Sequence, residues 1–193
     1  MSDDPYVYPG TTVLRNRLNI RSAALLDYHE RELVTQAIDE GVPSGAFDLD
    51  HLRAIHRHLF QDIYDWAGEI RTVEIAKGGQ QFQFRQFIAT GMTDVHRRLE
   101  KEDFLRSLSR RAFVKAVGPI IGDVNYVHPF RDGNGRTQLL YLEQLADQAG
   151  HPIDLARIDP QRWIEASRAA HNGGYDLMSE EIGRVVAGRG RGK

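Results

Sequence analysis

Cysteine is absent from this chain of 193 residues. Disulfide-stapled folds, thiolate metal sites and thiol nucleophiles are excluded with it. A chain of this length can bury a core without such staples. No apolar run approaches the length of a membrane span. Charge of one sign is not in excess either. The 25 basic and 27 acidic side chains leave a formal net charge of −2, so no global basic field points to nucleic acid. The opening MSDDPYVYPG is acidic and polar, without the basic-then-apolar pattern of a secretion signal. These absences together fit a cytoplasmic protein with no membrane partner. The closing GRGRGK lacks the glycine spacing and the Ser or Thr of a phosphate loop, and reads as a flexible basic tail over 188–193.

What remains is an ordinary globular composition, 41% hydrophobic and 27% charged, with no internal repeat. Pro5, Pro9 and Gly10 make residues 1–20 an irregular arm ahead of one domain over 21–187. Ser22 and Asp48 can cap helices whose apolar positions recur at helical spacing, Leu25, Leu26 and Leu33 in the first and Leu52, Ile55 and Leu59 in the second. Helical patterns return over about 86–99, 111–127, 135–149 and 175–186. Asp159-Pro160 opens a further helix with proline at its first position. Between them, residues 70–84 are β-favouring around Gly78-Gly79 and predict a short hairpin. The expected fold class is all-α with one small hairpin.

The stretch that carries chemistry is Asn125 to Arg136, NYVHPFRDGNGR. Pro129 restricts His128 toward extended backbone and so ends the preceding helix. Gly133, Asn134 and Gly135 feed a new helix, whose free N–H groups suit an anion. Arg136 on its first turn can contact phosphate through two donors. Asp132 supplies one carboxylate beside that anion, a typical seat for magnesium. His128 titrates near neutrality and can accept a proton from an attacking hydroxyl. The set points to phosphoryl or nucleotidyl transfer, although each of these residues is common in structural roles when taken singly. His51, His56 and His58 lie around a helix with no clustered carboxylate, a poor metal set.

His128–Arg136, HPFRDGNGR, resembles the Fic signature HPFx[D/E]GN[G/K]R at every fixed position. Residues 56–79 resemble the Fic segment that leads into the hairpin called the flap, and residues 6–20 resemble the start of small bacterial Fic toxins. The resemblance implies a Fic-type helical bundle and a protein adenylyltransferase, which moves AMP from ATP to a Ser, Thr or Tyr hydroxyl of a target protein. It implies that His128 is the base, that Phe130 anchors the loop, and that Asp132 holds Mg2+. It implies that Gly133, Asn134 and Gly135 cradle the phosphates and that Arg136 contacts them. The flap, Thr72, Val73, Glu74, Ile75, Ala76, Lys77, Gly78 and Gly79, would register the target by strand addition. By the same analogy a type II topoisomerase subunit is a candidate target.

The chain departs from the family at Leu139, where many members carry a second arginine for the γ-phosphate. No match to the family's inhibitory motif [S/T]xxxE[G/N] is present, so the resemblance implies a separate small antitoxin carrying that helix. The alternatives are transfer of another nucleotide or of phosphate, as in the Doc branch, and a nucleotide-binding module without transfer.

Overall fold

The computed structural model describes residues 4–187, so the expected tail at 188–193 lies outside the described residues. In chain order the helices are α1 (Ala23–Asp39), α2 (Leu49–Phe60), α3 (Ile88–Lys101), α4 (Arg110–Val127), α5 (Asn134–Gln148), α6 (Pro160–His171) and α7 (Asp176–Val185). A two-stranded antiparallel sheet, β1 (Ala76–Lys77) and β2 (Gln80–Gln81), lies between α2 and α3. The fold is mainly helical, as expected. Ser22 caps α1 by accepting from Leu25 N–H, Asp48 caps α2 by accepting from His51 N–H, and Asp159 caps α6 with Pro160 at its first position. No helix among the described residues is long and apolar enough to cross a membrane.

The bundle is built around α4, which packs against α3, α5, α6 and α7. Phe113, Val117 and Ile121 of α4 are completely buried, each contributing about 1.5–3 kcal/mol by leaving water. Gly122 permits the close approach of the C-terminal helices. A Cβ there would lie 2.7 Å from the Tyr175 ring and 2.9 Å from the Ala170 methyl. On the other side α2 packs against α1 and α5. This brings the start of α5 against α2, from where Arg136 reaches Glu30 of α1. The N-terminal arm closes that corner: Tyr6, Val13 and Leu14 are buried, and Asp4 pairs with Arg131 at 2.8 Å.

Two local expectations are corrected. The hairpin pairs only Ala76 with Gln81 and Lys77 with Gln80, far less than residues 70–84. Its flanks are held by side chains instead of a ladder: Arg71 donates to the carbonyls of Val73 and Gln83, and Glu74 accepts from Arg85 N–H at 3.0 Å. Gly78 and Gly79 both have positive φ, 58° and 80°, as a tight two-residue hairpin turn demands. The second correction is His128. It ends α4 as expected, but in the left-handed region (φ 47°, ψ 63°) rather than extended. Its N–H still reaches Val124 O, and its carbonyl is held by Arg71, which together outweigh the local preference before proline.

Candidate active site

The loop between α4 and α5 is fixed from within. Phe130 is completely buried and its ring stacks on His56 with centroids 3.9 Å apart. Asn134 clasps the Phe130 backbone in both directions, accepting its N–H at 3.0 Å and donating to its carbonyl at 2.8 Å. The Asn134 side chain is thus committed to the loop, and its backbone N–H is what remains for an anion. Gly133 stands at the N-cap of α5 with φ 77°, and a Cβ there would lie 2.5 Å from the Phe60 ring. Because glycine has no side chain, no oxygen caps α5, and its first-turn N–H groups are open to a ligand. Gly135 follows, with nothing within 4 Å of where a Cβ would stand.

His128 Nδ1 lies 3.0 Å from Asn125 O. A carbonyl can only accept, so Nδ1 carries the proton and Nε2 keeps its lone pair. The Phe82 ring stacks on the imidazole at 3.7 Å. Burial is the largest cause that pulls the imidazole pKa down to about 4; the hydrogen bond to Asn125 opposes it, the charges of Arg71 and Lys77 add to it, and Asp132 opposes it least. The ring is therefore neutral at physiological pH.

Asp132 is exposed, and its Oδ1 accepts the Gly133 N–H at 2.6 Å. Its other oxygen makes no hydrogen bond among the described residues. Arg136 donates through Nη2 to Glu30 of α1 at 2.6 Å and sits over the Phe60 ring at 4.7 Å. Glu30 also accepts from the Tyr64 hydroxyl. Leu139 is half-buried and packs on the hydrophobic core. The described residues hold no cluster of three or more His, Cys, Asp or Glu side chains fit to cage a metal. Magnesium needs no such cage, since it keeps several waters and takes phosphate oxygens, so the single carboxylate Asp132 fits it.

A cavity of about 210 Å³ joins these parts. Lys77 and Phe82 of the flap region, His128, Asp132, Asn134 and Gly135 form one side. Trp163, Ile164, Ser167, Arg168 and His171 of α6 form the other. Of the flap residues named from sequence, Lys77 alone lines this cavity. Thr72, Glu74, Ala76, Gly78 and Gly79 are exposed around it, and Val73 and Ile75 are half-buried. Arg136 is not among the residues that line this cavity, and its Nη2 is turned to Glu30 of α1.

Three residues that sequence reasoning missed support the site. His56 donates from Nε2 to Asp132 O at 3.0 Å and accepts Gly68 N–H at Nδ1, its pKa lowered to about 4 mainly by burial. Glu30 braces Arg136, and nothing in the pattern of α1 marks it. Arg71 is buried beneath the flap, and its only sequence signal is a charge inside a β-favouring run.

Comparison with known proteins finds relatives in sequence and in fold. A family model described as the Fic/DOC family matches residues 46–146. The chain is 38% identical to a probable protein adenylyltransferase, y4lH, of Sinorhizobium fredii, over 95% of this chain and 96% of that protein. It is 35% identical to the probable protein adenylyltransferase Fic of Escherichia coli, over 97% and 94%. Among solved structures it resembles the BepC protein of Bartonella tribocorum with bound AMPPNP, at a TM-score of 0.89 and 25% identity, covering 96% of this chain and 98% of that one.

Proposed function

We propose that this chain, which belongs to the Fic/DOC family, is a protein adenylyltransferase that transfers AMP from ATP to a hydroxyl of a target protein. The observation that carries the chemistry is the unprotonated Nε2 of His128 in the wall of the cavity that meets the uncapped start of α5. A base and an anion seat share one cavity. The names of the relatives and the AMPPNP bound by BepC point to ATP as the co-substrate.

The target oxygen attacks the α-phosphorus as its proton passes to His128 Nε2. The bond from the α-phosphorus to the bridging oxygen breaks, and pyrophosphate leaves with that electron pair. Backbone N–H groups of Asn134, Gly135 and Arg136 hold the phosphates and stabilise the charge that develops. Arg136 keeps Nη2 on Glu30 and has Nε and Nη1 for phosphate. Asp132 would hold Mg2+, which supplies charge neutralisation on the phosphates when bound. The α6 wall, with Trp163 and Ile164, offers an apolar face for the base. The flap from Thr72 to Gly79 presents short, open strand edges to the target backbone. Serine, threonine or tyrosine is the acceptor, and a type II topoisomerase subunit is the candidate target. The setting is cytoplasmic, and the chain is the toxin of a pair whose partner brings the inhibitory helix.

Leu139 favours a rival, a module that binds nucleotide without transfer. Label separates the readings. Bacterial lysate and purified topoisomerase subunits are incubated with the chain and either α-labelled or γ-labelled ATP. α-Label on protein supports AMP transfer, γ-label means phosphorylation, and neither label leaves the binding module.

A further inference from the structure

Arg71 is 2% exposed, and its guanidinium is spent almost wholly on backbone. Nε donates to the His128 carbonyl at 2.9 Å, Nη1 to the Val73 carbonyl at 2.8 Å and Nη2 to the Gln83 carbonyl. Its own N–H donates to Pro129 O at 2.9 Å. Glu74 Oε2, 3.2 Å from Nη1, balances the charge. One fork thus touches both ends of the flap and the residue that carries the base. His128 needs such a hold, since left-handed backbone is sparsely populated by residues other than glycine. The flap's second arm returns the contact, because Phe82, next to Gln83, stacks flat on the imidazole at 14° between planes.

We infer that Arg71 is a positioning residue that sets the catalytic imidazole and the target-docking flap in one register. The inference rests on the roles proposed above for His128 and the flap. It explains a buried charge where an apolar side chain would fill the space more cheaply. A lysine would keep the charge but could not fork to carbonyls on separate segments. The base and the strand that delivers the hydroxyl would then drift relative to each other, while the α5 phosphate seat, which Arg71 does not touch, would remain.

The test compares Arg71→Lys and Phe82→Leu with the native chain. Stacking on Phe82 places the His128 ring protons in a ring current, and Phe82→Leu gives their unstacked positions by NMR. In Arg71→Lys these signals are expected to move toward the unstacked positions. Binding of AMPPNP should stay within about twofold of native, because Arg71 adds nothing to the phosphate seat. Transfer of α-label to lysate protein should fall by about 10²-fold, the usual cost of misplacing reacting groups by ~1 Å. Native ring-proton positions with native transfer would overturn the inference, and so would a loss of AMPPNP binding equal to the loss of transfer. If a thermal melt shows Arg71→Lys unfolded, Glu74→Gln takes its place. It removes the guanidinium's carboxylate partner, so displaced His128 signals support the inference and unmoved ones overturn it. The ring-proton measurement needs neither nucleotide nor target. If the native chain transfers no label, the proposed function fails while the role of Arg71 is still decided.

Discussion

Gly133 and Gly135 stand two residues apart at the start of α5, yet alanine should act on them with opposite signs. At Gly133 the φ of 77° costs an alanine about 1–2 kcal/mol in the left-handed region. The new methyl would also lie 2.5 Å from Phe60 and 3.1 Å from His56 Nε2. Both rings are fully packed, so relief requires a shift worth a further ~1–3 kcal/mol. Gly133→Ala should therefore lose about 2–5 kcal/mol in chemical denaturation. Gly135 lies inside the helix without positive φ and with open space around its Cβ direction. Gly135→Ala should gain about 0.5–1 kcal/mol from helix propensity alone. That open space belongs to the cavity wall, where phosphate would approach the backbone. The same methyl should weaken AMPPNP binding at least about tenfold, the equivalent of one lost charge-assisted hydrogen bond. Denaturation with calorimetric titration of both variants reads the two effects separately. A more stable Gly135→Ala protein that binds AMPPNP with native affinity would refute the phosphate seat. A Gly133→Ala protein of native stability would refute the packing on which the loop geometry depends.

Asp132→Asn should weaken AMPPNP binding in magnesium by about tenfold or more and leave magnesium-free binding nearly unchanged, since an amide cannot replace a carboxylate beside phosphate charge; titrations with and without the ion check this. His128 and His56 are both held to about 4, below an unfolded value of 6.5. The unfolded chain takes up their protons first, so the stability they lend is present above pH 6.5 and is lost as pH falls toward 4, by up to about 1.4 kcal/mol per pH unit for each ring. His128→Gln should flatten that slope in urea denaturation followed across this range, and an unchanged slope would contradict the buried neutral imidazole. Leu139→Arg should cost about 1–3 kcal/mol by overfilling a half-buried site, without raising the preference for ATP over ADP. A gain in that preference at native stability would place the position beside the γ-phosphate.

Much of the fold was legible because its signals are local. Ser22, Asp48 and Asp159-Pro160 mark helix starts by chemistry within one turn, and each does cap the helix expected there. The loop from His128 to Arg136 could be read for the same reason, since its parts are adjacent in sequence. What escaped depends on contacts between distant segments. His56 reaches Asp132 across 76 positions, Glu30 reaches Arg136 across 106, and Arg71 reaches His128 across 57. No spacing rule announces such pairs. The left-handed backbone of His128 escaped likewise, because the preference imposed by Pro129 is overridden by Arg71 from outside the helix. The hairpin was found from Gly78-Gly79, but its paired length was overestimated. β-favouring residues such as Thr72 and Val73 form no ladder where Arg71 and Glu74 take up the backbone and flank contacts.

AMP transfer with His128 as the base can be read from the intact mass of an acceptor protein. The acceptor that takes α-label is purified and incubated with ATP, Mg2+ and either the native chain or His128→Ala. With the native chain the acceptor should gain the mass of one AMP residue. With His128→Ala no gain is expected, although that variant should bind AMPPNP normally, because the imidazole acts on the hydroxyl and not on the phosphates. A gain of a phosphate mass would rule out AMP transfer, and full AMP transfer by His128→Ala would rule out His128 as the base.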